Sequence, residues 1–590
     1  MKKTIALSIM FASGILVINS CGDKFLDRQP QGAFSPSVIA TPDGVERALI
    51  GAYALLDGIG TNGVTQWHGA VSNWVFGGIP SDDAYKGTDA GDQPEQTFIE
   101  TYDWQTTNEH FYGKWRHLYD GVARANDVLL NLAQVKEGLS EARKKEIEAE
   151  ARFLRGHYHF EAKKMWNNIP FIDDKMYNPN EPNSVKVKND KDAWPLIEAD
   201  LKFAVDNLPA DGKNPKGEVG RPTKWTAMAY LAKVKLFQGF SLTGQPNAAK
   251  LGEAKTLLDQ VVASGKYSLV DKFSDNFDVP TRNNKESVFE VQYSVTAAAD
   301  GPGNQGDGLA FPYTGPWSCC GFYQPSFNLV NAYKTDAAGL PLLDSFNDAD
   351  VYSSKGDLIY GGNLDPRLDR TAGRPGILYR DYKIHGTDFV RDLAYAGPFS
   401  PMKHVPSKPY IGVSGWQNLT ANNYRLIRYS TVLLWLAECE VEVGDLNKAR
   451  LLVNQIRKRA ANPDDFVPKT VQGATRDAFA VTPGVPAASY AVSEYPSGNP
   501  AFASKEAARK AVRFETRLEF AMEGHRFFDL VRWGVAKPTI DTYLVKEKTK
   551  RAYLAPANFQ VKNNYYPIPL QAIVNSAAGG ENTLKQNEGY

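Results

Sequence analysis

From Ser504 to Gly534 the chain reads SKEAARKAVRFETRLEFAMEGHRFFDLVRWG, and few folds can accommodate such a segment. Ser504 is placed to cap a helix that carries Glu506 in its first turn, near the positive end of the dipole. Ala511, Phe514, Leu518, Ala521 and Met522 recur at intervals of three and four, which predicts one buried face. The same turns carry Arg513, Glu515, Arg517, Glu519 and Glu523. Gly524 then breaks the helix before a second short one with Arg526, Phe527, Phe528, Asp529, Leu530, Arg532 and Trp533. Asp529 lies three residues from both Arg526 and Arg532, so one carboxylate is expected to pair with two guanidiniums. Charges interleaved with aromatics predict partly buried ion pairs that lock two helices against a core. A binding role for the charges is the alternative.

Helical periodicity recurs elsewhere. It predicts helices over Thr41 to Leu56, Phe111 to Val135, Glu141 to Trp166, Ala193 to Leu208, Thr223 to Phe240 and Ala249 to Ser264. Between Ser430 and Ala460, Leu433, Leu436 and Ala437, the turn Gly444–Asp445, and Ala449, Val453 and Ile456 follow the spacing of a tetratricopeptide helix pair. Glu440 departs from it, because that repeat carries an aromatic there. The predicted fold is mainly α, a tetratricopeptide-like helix-pair scaffold packed against an irregular, loop-rich region with a few short strands, of which Ser287 to Val295 is one. His157 and His159, two apart on one helix, point about 200° away from each other and cannot share a metal; they are expected at the surface or its edge.

Two irregular regions interrupt the helices. Asp57 to Glu109 holds Trp67, Trp74, Tyr85 and Trp104; Ala297 to Phe327 holds Phe311, Tyr313, Trp317, Phe322 and Tyr323 beside Asn304, Gln305 and Asp307. Long loops of this kind are usually functional. A sugar ring lays its C–H face on Trp or Tyr, while its hydroxyls need amide or carboxylate partners, so these regions suit a neutral polymer. The other reading is that such aromatics pin a loop to the body. Lys plus Arg equals Asp plus Glu at 67 each, which removes the electrostatic case for nucleic acid or an anionic membrane surface.

Enzyme motifs are absent: the chain has no HExxH, GxSxG, Walker loop or dinucleotide fingerprint. No catalytic or metal-binding residue is therefore assigned. Asp82 and Asp83, with Asp89 and Asp92, read first as a solvated loop or as acceptors for ligand hydroxyls, and second as a calcium site. Cys439 reads as a small buried hydrophobe. For adjacent Cys319 and Cys320 two free thiols are the default, and a vicinal disulfide is the alternative.

At the N-terminus, Lys2 and Lys3 precede an apolar run from Ile5 to Ile18 that is too short to span a bilayer and has the form of a signal peptide covering residues 1–20. VINSCG resembles a bacterial lipobox, with Cys21 the acylated residue and a soluble body anchored through it. The run GDKFLDRQPQGAFSP after it reads as a tether.

RFETRLEFAMEGHRFFDLVRWG resembles the signature of the SusD/RagB family, surface lipoproteins with which Bacteroidota capture nutrients. AEARFLRGHYHFEAKKMWNNIPFI, RYSTVLLWLAECEVEVGDLNKARLLVNQIR, YYPIPLQAI and LKQNEGY resemble further blocks of that family, in family order. The resemblance implies one globular body with four helix pairs, an N-terminal part over 21–265 and a C-terminal part over 266–590. It implies an outer-membrane, lipid-anchored, outward-facing, non-catalytic protein that delivers oligosaccharide or polysaccharide to a SusC-like TonB-dependent transporter. By region it points to the two irregular segments. Within them Trp317 and Tyr323 are the first candidates for ligand binding, then Trp74, Trp104, Tyr85 and Asp83. A RagB-like peptide receptor, a surface glycoside hydrolase and a pure protein scaffold are the alternatives.

Overall fold

The computed structural model describes residues 39–59, 65–211, 218–295, 303–314, 317, 319–412 and 419–590. The predicted signal peptide, Cys21 and the tether lie outside the described residues.

Side-chain caps set where most of the long helices begin. Thr41 accepts the Gly44 N–H at the start of α1 (Pro42–Ala54), Asn108 that of His110 at α2 (Glu109–Gln134), and Ser140 that of Arg143 at α3 (Glu141–Trp166). α4 (Trp194–Asn207) opens with a proline in its first turn instead. Thr223 caps α5 (Lys224–Leu236) and Asn247 caps α6 (Ala248–Ala263). After a long irregular stretch come α7 (Tyr429–Val443) and α8 (Leu446–Ala460), the latter capped by Asp445. Each such cap contributes about 1 kcal/mol.

The helices pack in chain order, α1 on α2 and so on to α8. They form the tetratricopeptide-like pairs α1/α2, α3/α4, α5/α6 and α7/α8. α9 (Lys505–Phe520), capped by Ser504, closes the array against both α7 and α8. One irregular segment interrupts the first pair, and the longer one separates the third pair from the fourth.

Strands are short and paired in twos. β1 (Ala84–Gly87) and β3 (Phe322–Pro325) run antiparallel with Tyr85 opposite Gln324, and β2 (Ser287–Val291) pairs with β4 (Tyr424–Arg428). β2 ends four residues before the predicted Val295. The main core is continuous from Val45 on α1 to Leu584 near the C-terminus. No helix among the described residues is long and apolar enough to cross a membrane.

The C-terminal signature is where the irregular middle meets the scaffold. Glu519 on α9 accepts from Arg367, Arg428 and Arg459; Glu515 pairs with Arg367 and Arg457; Glu523 pairs with Arg428 and Lys403. Glu286 and Asp365 complete a buried set in which five anions face five cations. Burial works to raise the Glu523 carboxyl, but Arg428 and Lys403 outweigh it and hold it down to about 2. α9 stops at Phe520, three residues before the predicted end at Glu523, and Gly524 turns the chain at φ 73°. A Cβ on Gly524 would lie 1.8 Å from the Ser72 carbonyl oxygen, so only glycine permits this approach.

The expected sharing of Asp529 does not occur. On α10 (Arg526–Arg532) it binds Arg532 at 2.7 Å, while Arg526 reaches across to Asp82 at 2.7 Å, because the long-range carboxylate gives Arg526 a buried partner. His157 and His159 are buried rather than at an edge. His157 Nδ1 lies 2.7 Å from the Tyr230 hydroxyl, and His159 Nε2 accepts the Ile172 N–H at 3.1 Å. Glu440 is buried as well, held by Lys255 at 3.0 Å and Lys448 at 2.7 Å.

Candidate functional site

The two irregular segments, far apart in sequence, meet on one another. β1 of the first pairs with β3 of the second. Trp74 Nε1 donates to the Gly306 carbonyl at 2.9 Å, Ser72 donates to Asp307, and the Trp74 and Tyr323 rings lie 5.7 Å apart. Asp307 also accepts from Asn304 at 2.7 Å and pairs with His404 at 3.1 Å. Burial alone would lower the His404 pKa, yet the Asp307 carboxylate beside it raises it above the ordinary value.

The residues expected to touch a ligand are buried, some by this meeting and others by more distant segments. Trp317, Trp74 and Tyr85 are fully buried, and Tyr323, Asp83 and Trp104 are nearly so. Trp317 is the centre of a small second core with Phe311, Tyr379, Tyr382, Phe389, Met402 and Val405. Trp104 packs on Tyr566 with ring centroids 4.2 Å apart and donates to the Ile99 carbonyl at 2.9 Å. The Tyr85 hydroxyl binds Glu547, the Tyr323 hydroxyl accepts the Gly524 N–H at 3.2 Å, and Asp83 holds Arg517 at 2.7 Å. None of the six presents an open face in this structure. Each packs against or bonds to another part of the body instead.

What remains open is the rim. Tyr313 is half-buried, and the Arg391 guanidinium lies 5.4 Å from its ring centroid. Arg391 is exposed and bridges Asp89 and Asp92, each at 2.8 Å. Thr314 donates to the Asp388 carbonyl at 2.8 Å. Cys319 and Cys320 are joined in a disulfide, which corrects the default of two free thiols, and Cys319 is half-buried. The Tyr313 ring with the Arg391 guanidinium over it, together with the two carboxylates that the guanidinium bridges, offers an aromatic edge and polar groups that can hold a polyhydroxylated ring. Tyr313 was legible in the sequence only as one aromatic among several. Arg391 was missed altogether, since no local pattern marks it and its partners lie about 300 residues earlier.

The four aspartates considered for calcium divide into two ion-paired sets. Asp82 and Asp83 are taken by Arg517 and Arg526, and Asp89 and Asp92 by Arg391. Among the described residues the only grouping of three or more metal-ligating side chains is His68, Glu109 and His110. A separate concavity of about 400 Å³ lies between α2 and the C-terminal segment, lined by Tyr112, Trp115, Tyr119 and Tyr177 with Asn575 and Thr583 at its edge.

Tetratricopeptide-like helix pairs that carry a loop-built face are the architecture of this chain. The chain belongs to the SusD family: the family model of that description matches residues 285–590, and a second, described as starch-binding and associating with the outer membrane, matches 24–236. A SusD-like protein of Bacteroides ovatus is 26% identical over 378 residues, covering 62% of this chain and 65% of that protein's length. A SusD superfamily protein from Bacteroides vulgatus superposes with TM-score 0.64 at 20% identity, covering 93% of this chain and 99% of its own. The surface glycan-binding protein A of Bacteroides thetaiotaomicron, solved with laminarihexaose, gives TM-score 0.63 at 19% identity over the same shares.

Proposed function

We propose that this protein captures an oligosaccharide or polysaccharide without catalysis and delivers it to a SusC-like TonB-dependent transporter, held at the outer face of the outer membrane by a lipid on Cys21. The observation that carries this reading is the joining of the two irregular segments into one face, whose open rim is Tyr313 beside Arg391, Asp89 and Asp92. The laminarihexaose complex of a structural relative supports a glycan as the ligand class. Neutral overall charge favours an uncharged polymer. Binding per site is expected to be weak, because a single half-exposed ring buries little area.

One observation favours a second reading. The burial of Trp74, Trp104 and Trp317 is what a pure protein scaffold would show. Affinity gels and calorimetry with laminarin, starch, acidic polysaccharides and a peptide mixture separate the possibilities. Glycan binding without product release, lost in Tyr313→Ala, supports capture. Heat from peptides alone would point to a RagB-like receptor, released sugars to a hydrolase, and silence throughout to the scaffold.

A further inference from the structure

The first turn of α2 faces the short helix Gln66–Gly69, and there His68 and His110 meet edge to face with ring centroids 4.3 Å apart. His68 is 4% exposed and His110 0%. Gly113, one turn along α2, makes the approach possible, since a Cβ there would lie 2.5 Å from His68 Nδ1. With Nδ1 turned against the helix, His68 Nε2 is left buried without a hydrogen-bond partner, and so are both ring nitrogens of His110. Orphaned buried polar atoms cost about 1–3 kcal/mol each, so a fold that gathers several in one place is short of a partner there. Glu109, exposed at the start of the same turn, adds a carboxylate oxygen, and the three donor atoms lie within 4.8 Å of one another. Lys114, the cation one turn on, is held by the carbonyls of Gly69 and Ala70 at 3.2 and 3.1 Å.

We propose that His68, His110 and Glu109 form a site for a divalent transition-metal ion of the zinc type, with a fourth position open on the Glu109 side. Two imidazoles and one carboxylate suit zinc, nickel or copper, whereas calcium takes six to eight oxygens. Ligand atoms about 2.0–2.2 Å from a common ion stand closer together than the limit seen here, so loading draws the exposed Glu109 side chain inward. The ion would clamp the short helix Gln66–Gly69 to the scaffold, three residues before Ser72 of the joined loop face. The site shares no residue with the rim around Tyr313 and stands whether or not that rim binds glycan.

Protein stripped with a chelator and titrated calorimetrically with Zn²⁺, Co²⁺ and Ca²⁺ tests the site. The expected result is one equivalent of Zn²⁺ and a raised melting temperature. Bound Co²⁺ should show the visible absorption of tetrahedral nitrogen and oxygen coordination, and Ca²⁺ should not compete. Glu109→Ala removes an exposed side chain and leaves the core untouched, so it decides the matter even if His110→Ala does not fold; it should weaken Zn²⁺ more than about tenfold. No Zn²⁺ uptake by the stripped protein, or unchanged affinity in Glu109→Ala, would overturn the proposal.

Discussion

Asp83 and Arg517 face each other across 2.7 Å, each about 2% exposed at its side chain. The pair joins the first irregular segment to α9, more than 400 residues later, and Arg517 also donates to the Asp82 carbonyl at 3.0 Å and to Asn328 at 2.7 Å. Removing Asp83 takes one of two carboxylates from Arg517, which keeps Asp82 at 3.2 Å. Asp83→Ala should therefore cost about 1.5–3 kcal/mol in urea unfolding. A variant of full stability that has lost ligand affinity would return Asp83 to the role of ligand acceptor.

Trp317 fills the centre of the second core, with Tyr382 4.7 Å and Tyr379 5.8 Å away between ring centroids. Trp317→Ala should cost about 3–5 kcal/mol by leaving a cavity under the loop. The check is thermal unfolding set beside glycan affinity. Unchanged melting would mean that the ring is free to serve a ligand.

At the rim the effects should reverse. Arg391 makes only partly exposed ion pairs, so Arg391→Ala should shift stability by less than about 1 kcal/mol. Tyr313→Ala should likewise fold, while glycan affinity falls by about tenfold or more in both. Calorimetry with the glycan found by screening measures this, and retention of full affinity in both variants removes the rim from the site.

Stability should fall in mild acid. Burial depresses His157, His159, His385 and His525 to about 3 in the folded state, below the unfolded value of about 6.5. Below that value the unfolded chain binds more protons, so the stability these neutral imidazoles contribute is whole above it and is lost as pH drops toward 3. Each contributes a slope of about 1.4 kcal/mol per pH unit. His404 has the opposite sign, because its folded pKa is raised: its contribution is present below about 6.5 and is lost as pH climbs through the folded value. Four outweigh one, and urea midpoints should drop between pH 7 and pH 5. A flat profile across that window would contradict the buried neutral rings.

Sequence alone determined the helical scaffold, because its signals are local. Spacings of three and four, caps such as Ser504 and Asp445, and the Gly444–Asp445 turn lie within a few residues of what they specify. The charge-rich signature likewise announced buried ion pairs, although not their partners: Arg526 chose Asp82 over Asp529. Only the tertiary structure decided which loop aromatics meet water. Trp317 is covered by residues 379–405, Trp74 by Gly306 and Tyr323, and Trp104 by Tyr566. The exposure of a ring in an irregular segment is set by whatever distant chain packs on it, and no periodicity in its own neighbourhood encodes that cover. The same holds for the rim, where Arg391 reaches Tyr313, Asp89 and Asp92 only because folding brings three separate loops to one place.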